Sequence, residues 1–343
     1  MTGRTRIGLA YDLKEAVPVR PDQPEDALEE YDSRATVDGI AAGLEALGHP
    51  VLRLGGGRHL LETVLHDRPD LVFNIAEGLG NYRSREAQVP SVLEMLDIPY
   101  TGSDPQCLAI CLDKPLTKDL VAHAGVTTPA WRVIKTVPQL KATDWARFPF
   151  PAFVKPEHEG SSMGIRTGST VESAAELLKA VPELLERYRQ PVMVEQFIVG
   201  EEITVGVIGN SPPKVIGIMR VVPRKADARF VYSLDVKRDY ERLVDYEAPA
   251  RLAPAVLKSI EESSLTAFSL LGCRDISRVD FRVDAAGTPY FLEINPLPGL
   301  NPKSGDIVIM SGLMGWGYQS LIGAVVNAAE ERYARASERR HRL

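Results

Sequence analysis

Arg278-Val-Asp-Phe-Arg-Val-Asp-Ala-Ala-Gly-Thr-Pro-Tyr-Phe-Leu-Glu-Ile-Asn295 places an arginine, two carboxylates and an amide on an alternating pattern. Apolar and polar residues alternate from Arg278 to Asp284, Ala285-Ala286-Gly287 makes a turn, and Thr288 to Ile294 returns, so the spacing predicts a β-hairpin whose second strand is buried. Residues two apart on a strand share a face, and a hairpin sets one strand opposite the other. Glu293 and Asn295 therefore project together, with Asp280 across from them. Two carboxylates and an amide are hard oxygen donors that leave room for waters and phosphate oxygens, which suits magnesium held between protein and nucleotide. An edge hairpin with a merely solvated polar face fits less well, because charges beside Phe281, Phe291, Leu292 and Ile294 are costly unless paired.

The surrounding composition narrows the partners. A chain of 343 residues suits two or three compact units. Its 40 Lys plus Arg against 46 Asp plus Glu leave a formal charge of −6, so nothing draws it as a whole to nucleic acid or an anionic membrane. Small metabolites are the expected partners. Cys107, Cys111 and Cys273 have no zinc spacing, and burial as small apolar thiols in a reducing cytoplasm is the expectation for them. The first residues lead into the strand-like Ile7–Ala10 without an apolar signal core, and no run reaches transmembrane length, so a cytoplasmic location is expected.

Strand and helix signals alternate over the first hundred residues: a strand at 6–10, a helix at 33–47 with Ser33 as N-cap and Gly48 as stop, strands at 51–54 and 71–74, and a helix near 60–66. Such alternation predicts a parallel sheet with helices on both faces. The proline- and acid-rich segment between Tyr11 and Tyr31 reads as a long loop. Helices open at Asp104-Pro105 and Asp113-Lys114-Pro115. Beyond them the pattern predicts strands at 150–156, 192–197, 202–208 and 214–222, and helices at 170–188, 253–271 and 307–333. The charged segment 224–247 reads as a large surface loop.

Two further stretches carry chemistry. Lys155-Pro-Glu-His-Glu-Gly160-Ser-Ser-Met-Gly164 sets a lysine at a strand end before a loop of small residues, whose N–H groups can approach phosphate oxygens. It lacks the Gly-Lys-Ser/Thr order of a P-loop. Glu195-Gln196-Phe197-Ile198-Val-Gly200-Glu-Glu202 reads as a strand, a short connector and another strand, offering backbone groups to an adenine edge and carboxylates to its amine and a ribose.

In this order and spacing, these blocks resemble the ATP-grasp superfamily and within it the D-alanine:D-alanine ligase family. The likeness spans nearly the whole chain, with further marks at Pro99–Ser103 and at Asp113-Lys114 with Lys118. It implies an ATP-grasp fold of α/β class: an N-terminal parallel-sheet domain over 1–103 and an ATP-grasp domain over 104–343, with a central subdomain over about 104–190 and a C-terminal one over about 191–335. It also implies ATP and two magnesium ions, or manganese in their place, as cofactors, amino acids as substrates, and a homodimer. Lys114, Lys155 and Ser161 would contact the phosphates, and Glu195, Gln196, Ile198 and Glu202 the adenosine. Asp280, Glu293 and Asn295 would hold the metal. Lys237 would close over the transferred phosphoryl group, Ser162 would belong to the phosphate-covering loop, and Arg278 with the Gly299 N–H would receive the oxyanion. Ser304 and the Gly305 N–H would take the second substrate's carboxylate, and Glu29 the first substrate's amino group.

The chain also departs from that pattern. Ala10-Tyr-Asp-Leu13 stands where the family has Gly-Gly-x-Ser, Glu77 replaces a histidine, Asn81–Glu86 replaces Gly-Glu-Asp-Gly, and Arg238 replaces an aromatic residue. These changes add charge around a pocket that takes small amino acids in the family. The likeness therefore implies a ligase that joins two amino acids through an acyl phosphate, with D-alanine as the default. Two rivals are a ligase of secondary metabolism with a more polar substrate, and a nucleotide-binding protein of the same fold without turnover.

Overall fold

The computed structural model describes residues 5–18, 23–225, 227 and 229–340. β1 (Ile7–Ala10), α1 (Arg34–Ala46), β2 (Val51–Gly55), α2 (Gly57–His66) and β3 (Leu71–Asn74) build a parallel sheet in the order β2-β1-β3. Every residue of β1 and β3 is buried, as near-continuous apolar strands require when both sheet faces are covered. Ser33 caps α1 by accepting from the Thr36 N–H, and Gly48, at φ 91°, ends it. α3 (Gln88–Met95) packs Val89 and Leu93 into the core cluster that Leu54, Leu60 and Val72 share.

α4 (Pro105–Leu112) and α5 (Lys114–His123) follow, capped by Asp104 and Asp113, each with proline in its first turn. A four-stranded antiparallel sheet, order β4-β7-β5-β6, comes from β4 (Trp131–Ile134), α6 (Val137–Ala142), β5 (Ala152–Pro156), β6 (Thr170–Val171), α7 (Ala174–Tyr188) and β7 (Val192–Gln196). The rest is β8 (Gly200–Ile208), β9 (Lys214–Pro223), α8 (Leu234–Arg238), α9 (Tyr240–Leu243), β10 (Val244–Glu247), α10 (Pro254–Leu270), β11 (Ile276–Asp284), β12 (Pro289–Asn295), α11 (Asp306–Leu313) and α12 (Tyr318–Arg340). Its antiparallel sheet runs β10-β9-β8-β11-β12.

Three readings of the sequence need correction. The helix expected from Thr170 begins at Ala174, because Thr170 and Val171 pair with β5 and Ser173 supplies the cap. The surface loop expected over 224–247 holds α8, α9 and β10. Ser233 caps α8, and β10 joins the sheet by pairing Val244–Glu247 with Arg220–Pro223. The single closing helix expected over 307–333 is two helices meeting at 111°, broken beside Gly315 at φ 85°. The central sheet runs to Gln196, since β7 pairs with β4 and β5. α5 meanwhile packs Val121 into the core cluster of the five-stranded sheet.

Ile7, Leu9 and Phe73 of the parallel sheet share one core cluster with Val37, Ile40 and Leu44 of α1 and with Leu321, Ile322 and Val325 of α12. Cys107, Cys111 and Cys273 are buried and meet, with Cys107 Sγ 3.8 and 3.6 Å from the other two sulfurs. The expected burial holds; that the three thiols converge was not legible from their spacing. Among the described residues, no single helix is long and apolar enough to cross a membrane.

Candidate active site

The predicted hairpin forms, but its second strand is buried only at Phe291 and Ile294, and a bulge at Leu292 shifts the register between Asp280 and Phe281. Asp280 lies opposite Glu293, Arg278 lies opposite Asn295, and Asp280 faces Thr204 of β8 on the other side. Asp280 accepts from Thr204 Oγ1 at 3.0 Å and from Arg278 Nε at 3.0 Å. Arg278 also lies 3.7 Å from Glu293 and 3.5 Å from Asp306. Burial works against the Arg278 charge, yet Asp280, Asp306 and Glu293 together raise its pKa. Burial likewise pushes Glu293 up, but Lys114, Lys155, Arg278 and Lys237 outweigh it and hold the carboxyl at about 2. Asn295 Oδ1 accepts from the Leu297 N–H at 2.8 Å, which uses one of its two lone pairs. Asp280 and Glu293 are thus two partly exposed carboxylates on neighbouring strands, with an amide oxygen beside them. That donor set fits a hard divalent cation.

A cavity of about 110 Å³ lies between the two antiparallel sheets. Its walls include Lys155 of β5, Glu195 and Gln196 of β7, the connector residues Phe197 and Ile198, Glu202 of β8, and Asp280 and Glu293. Two amides at this strand end are already engaged: the Gln196 N–H donates to Ala130 O at 2.8 Å and the Phe197 N–H to Pro151 O at 2.9 Å. Glu202 accepts from Arg282 at 2.6 Å and from the Tyr232 N–H at 3.1 Å. Arg282 lies 4.6 Å over the Phe197 ring.

Glu195 has a different setting from the one expected. Its carboxylate is buried between Lys118 Nζ at 2.5 Å and Lys155 Nζ at 3.0 Å. Burial raises its pKa, but the two lysines lower it further. Lys118 is fully buried and also donates to Thr128 Oγ1 at 2.7 Å and to Phe291 O at 3.0 Å. Burial pulls Lys118 down to about 8 against the pull of Glu195, whereas Lys155, nearer to Glu293 and Asp280 as well, is raised overall. Lys114 donates to Glu159 O at 2.5 Å and stands 3.8 Å from Glu293. Ser161 and Ser162 lie in the intervening loop at left-handed φ values of 46° and 60°.

A second cavity of about 340 Å³ lies beside the first, and Tyr232, Lys237 and Asp306 line both. Glu29, Glu77, Ser161, Arg238, Arg278, Gly299, Ser304 and Gly305 line it. Lys237 sits 5.0 Å over the Tyr232 ring, whose hydroxyl reaches Asp306 at 2.9 Å. Arg238 pairs with Glu29 at 2.5 Å, and Lys14 approaches the same carboxylate at 3.3 Å. Burial raises the Glu29 pKa, but Arg238 and Lys14 bring it below the usual value. Glu77 does not pair with Arg238. Burial, with Glu86, Glu30 and Asp32 nearby, pushes it well above the usual carboxylate range. The Gly305 N–H, expected to meet a substrate carboxylate, donates to Asn301 O at 3.1 Å. Arg85, expected near the pocket with Arg83, is buried and held by Glu30 and Glu159, whereas Arg83 is 71% exposed. Thr204, Tyr232, Arg282 and Asp306 were not singled out from the sequence. Arg282 could have been found by following the β11 alternation two residues past Asp280, and Thr204 by carrying it across to β8.

The chain is similar to known proteins in sequence and in fold. Residues 120–327 match the family described as D-ala D-ala ligase C-terminus. An uncharacterized protein, y4sG, of Sinorhizobium fredii is 34% identical over 86% of this chain and 88% of its own length. A D-alanine–D-alanine ligase of Aquifex aeolicus is 34% identical over 79% of this chain and 87% of its own length. The crystal structure of a Bacillus anthracis D-alanine–D-alanine ligase complexed with ATP superimposes at a TM-score of 0.72, with 21% identity, covering 96% of this chain and 99% of that one. The VanG D-Ala:D-Ser ligase of Enterococcus faecalis gives 0.71 at 22% identity, covering 95% and 99%.

Proposed function

The chain belongs to the D-alanine–D-alanine ligase family and is an ATP-dependent ligase, and from that premise we propose how its cleft joins two amino acids. The observation that carries the reading is the convergence of Lys155, Asp280 and Glu293 on one cavity that shares Lys237 and Asp306 with a neighbouring one lined by Arg278, Gly299 and Ser304. The first compartment takes ATP. Lys114, Lys155 and Ser161 face its phosphates, and Gln196, Ile198 and Glu202 face the adenosine. Glu195 acts mainly by fixing Lys118 and Lys155. Asp280, Glu293 and Asn295 would hold magnesium, which when bound neutralises phosphate charge.

The second compartment takes the amino acids. The first substrate's carboxylate attacks the γ-phosphate, giving an acyl phosphate and ADP. The second substrate's amine then attacks the acyl carbon, and phosphate leaves as the peptide bond forms. Lys237 lines both compartments and Ser162 the first, where the phosphoryl group passes. Arg278 and the Gly299 N–H are placed to receive the oxyanion of the tetrahedral intermediate, and removing one such donor typically costs about 3–4 kcal/mol. Ser304 and Gly305 border the second substrate, with the Gly305 amide available only if its bond to Asn301 opens.

D-alanine is the family's default for both positions. Glu29, the residue aligned with the amino-binding glutamate, is already paired with Lys14 and Arg238, which favours a first amino acid larger or more polar than alanine. The test is ADP release against a panel of D- and L-amino acids, for the wild type and for Arg238→Tyr. A preference for larger or polar amino acids that narrows towards alanine in the variant is expected. Efficient D-alanyl-D-alanine synthesis unchanged by the substitution would restore the default, and no amino-acid-dependent ADP release would remove the ligase assignment. Cytoplasmic location and homodimer assembly belong to the same reading, the latter checked by mass in solution.

A further inference from the structure

The reading above leaves unused Asp26 and Glu30, in the acidic segment after Pro24 that docks on the loop between Gly160 and Gly164. Asp26 is fully buried there. It accepts from the Gly164 N–H at 3.0 Å, from the Tyr188 hydroxyl at 2.8 and 2.9 Å, and from Arg166 at 3.3 Å. At the other end of the loop, Glu30 accepts from the Gly160 N–H at 3.2 Å. The same carboxylate takes Arg85 at 2.6 Å, and Arg85 also donates to His158 O at 2.9 Å. One short segment therefore holds both ends of the loop and, through Arg85, the chain leading into it.

The loop needs such a hold. Ser161 and Ser162 both sit at positive φ, a region that costs a non-glycine residue free energy unless its surroundings enforce it. Inside the loop, the Met163 N–H donates to Gly160 O at 2.9 Å and the Ile165 N–H to Ser162 O at 3.0 Å. The two glycine amides are taken by Asp26 and Glu30. The groups left to meet phosphate oxygens are then those of Ser161 and Ser162, not the glycine N–H groups.

We propose that Asp26 and Glu30 are positioning residues that hold the Gly160–Gly164 loop in its phosphate-receiving form before nucleotide binds. The proposal rests on the reading that this loop covers the phosphates of ATP. A loop ordered in advance removes an entropic cost from binding, so losing the clamp weakens nucleotide affinity more than it slows turnover at saturating ATP.

The experiment measures the Kd of a non-hydrolysable ATP analogue with magnesium, and amide exchange at 159–165 without nucleotide, in the wild type, Asp26→Ala, Asp26→Asn and Tyr188→Phe. Asparagine keeps acceptors for Gly164 and Tyr188, and alanine keeps none. Asp26→Ala should raise Kd about 10-fold, while Asp26→Asn stays within about 3-fold, since hydrogen bonds to a charged group are worth roughly that factor or more. Loop amides should lose protection in Asp26→Ala. In turnover, KM for ATP should rise with kcat held to within about 3-fold, a split that a merely destabilised protein does not give. If Asp26→Ala does not fold, Tyr188→Phe carries the test, with faster loop exchange and a Kd raised about 3-fold expected for one lost bond. Folded variants with wild-type Kd and wild-type loop exchange overturn the clamp. A wild type that binds no analogue overturns the nucleotide reading instead, which is a different outcome.

Discussion

Replacing Glu195 by glutamine tests whether this residue reads the base or braces the lysines. Its carboxylate is 3% exposed and lies between Lys118, 0% exposed, and Lys155, 7% exposed. The substitution removes one negative charge and leaves two buried ammonium groups facing a neutral amide. Breaking a buried pair from one side typically costs about 3–5 kcal/mol, and little of that is screened by solvent at this burial. The loss also has a pH signature. Lys118 already titrates near 8, below the ordinary lysine value, and loses its main opposing attraction in the variant. A lysine whose folded pKa lies below its unfolded value binds more protons unfolded, so stability rises with pH between the two. The Glu195→Gln deficit should therefore be largest near neutral pH and shrink towards pH 10. The assay is denaturant unfolding followed through that range, with a parallel comparison of ATP and GTP as phosphoryl donors. A variant of wild-type stability whose only change is a relaxed ATP preference would refute the bracing role and return Glu195 to the adenine.

Three further outcomes follow from the geometry. Glu293→Gln removes an ionised oxygen from the cluster of Asp280 and Asn295, so amino-acid-dependent ADP formation should fall at least 100-fold, roughly 2.7 kcal/mol or more in the barrier, with the unfolding midpoint little changed; wild-type turnover at limiting magnesium would contradict it. Protease cleavage between Arg224 and Arg242 should slow when a non-hydrolysable ATP analogue binds with magnesium, because Lys237 borders the phosphate end of the cleft; equal rates with and without ligand would deny the closure. Burial and Asp12 push Asp32 up to about 7, so its carboxyl keeps a proton in the folded protein that the unfolded chain releases near pH 4, and stability should decline as pH rises between them; Asp32→Asn should flatten that slope, measured by denaturation across pH 4–7.

The hairpin and the parallel sheet were legible because they are written in short-range pattern. Alternation fixed which residues of Arg278–Asn295 face the cleft, and a one-residue slip would have turned all of them to the other side. Segment 224–247 was misread because its strand is made by a distant partner: Val244–Glu247 is too polar to announce itself and becomes a strand only by pairing with β9. The break between α11 and α12 was written locally, in Gly315-Trp316-Gly317, but an otherwise apolar run masked it. Glu195 shows the limit for side-chain roles. Its place in the sequence marks it as a cleft residue, yet only the fold brings Lys118, 77 positions earlier, to its carboxylate. The Asp26 clamp was invisible for the same reason, since nothing near Pro24 foretells contact with a loop 138 residues away.

The core shared by α1, α12 and the parallel sheet has a consequence for synthesis. Ile7 and Ile40 emerge from the ribosome well before Leu321, Ile322 and Val325, which cover them. Thr5 also meets Glu330, and the Tyr100 N–H meets the Tyr333 hydroxyl. The first sheet must therefore wait, half bare, while about 300 residues are added at roughly 5–20 per second, an exposure of some 15–60 seconds. During that interval its apolar face is a natural client for chaperones, and a chain cut short before α12 leaves the damage at the opposite end of the sequence from the cut.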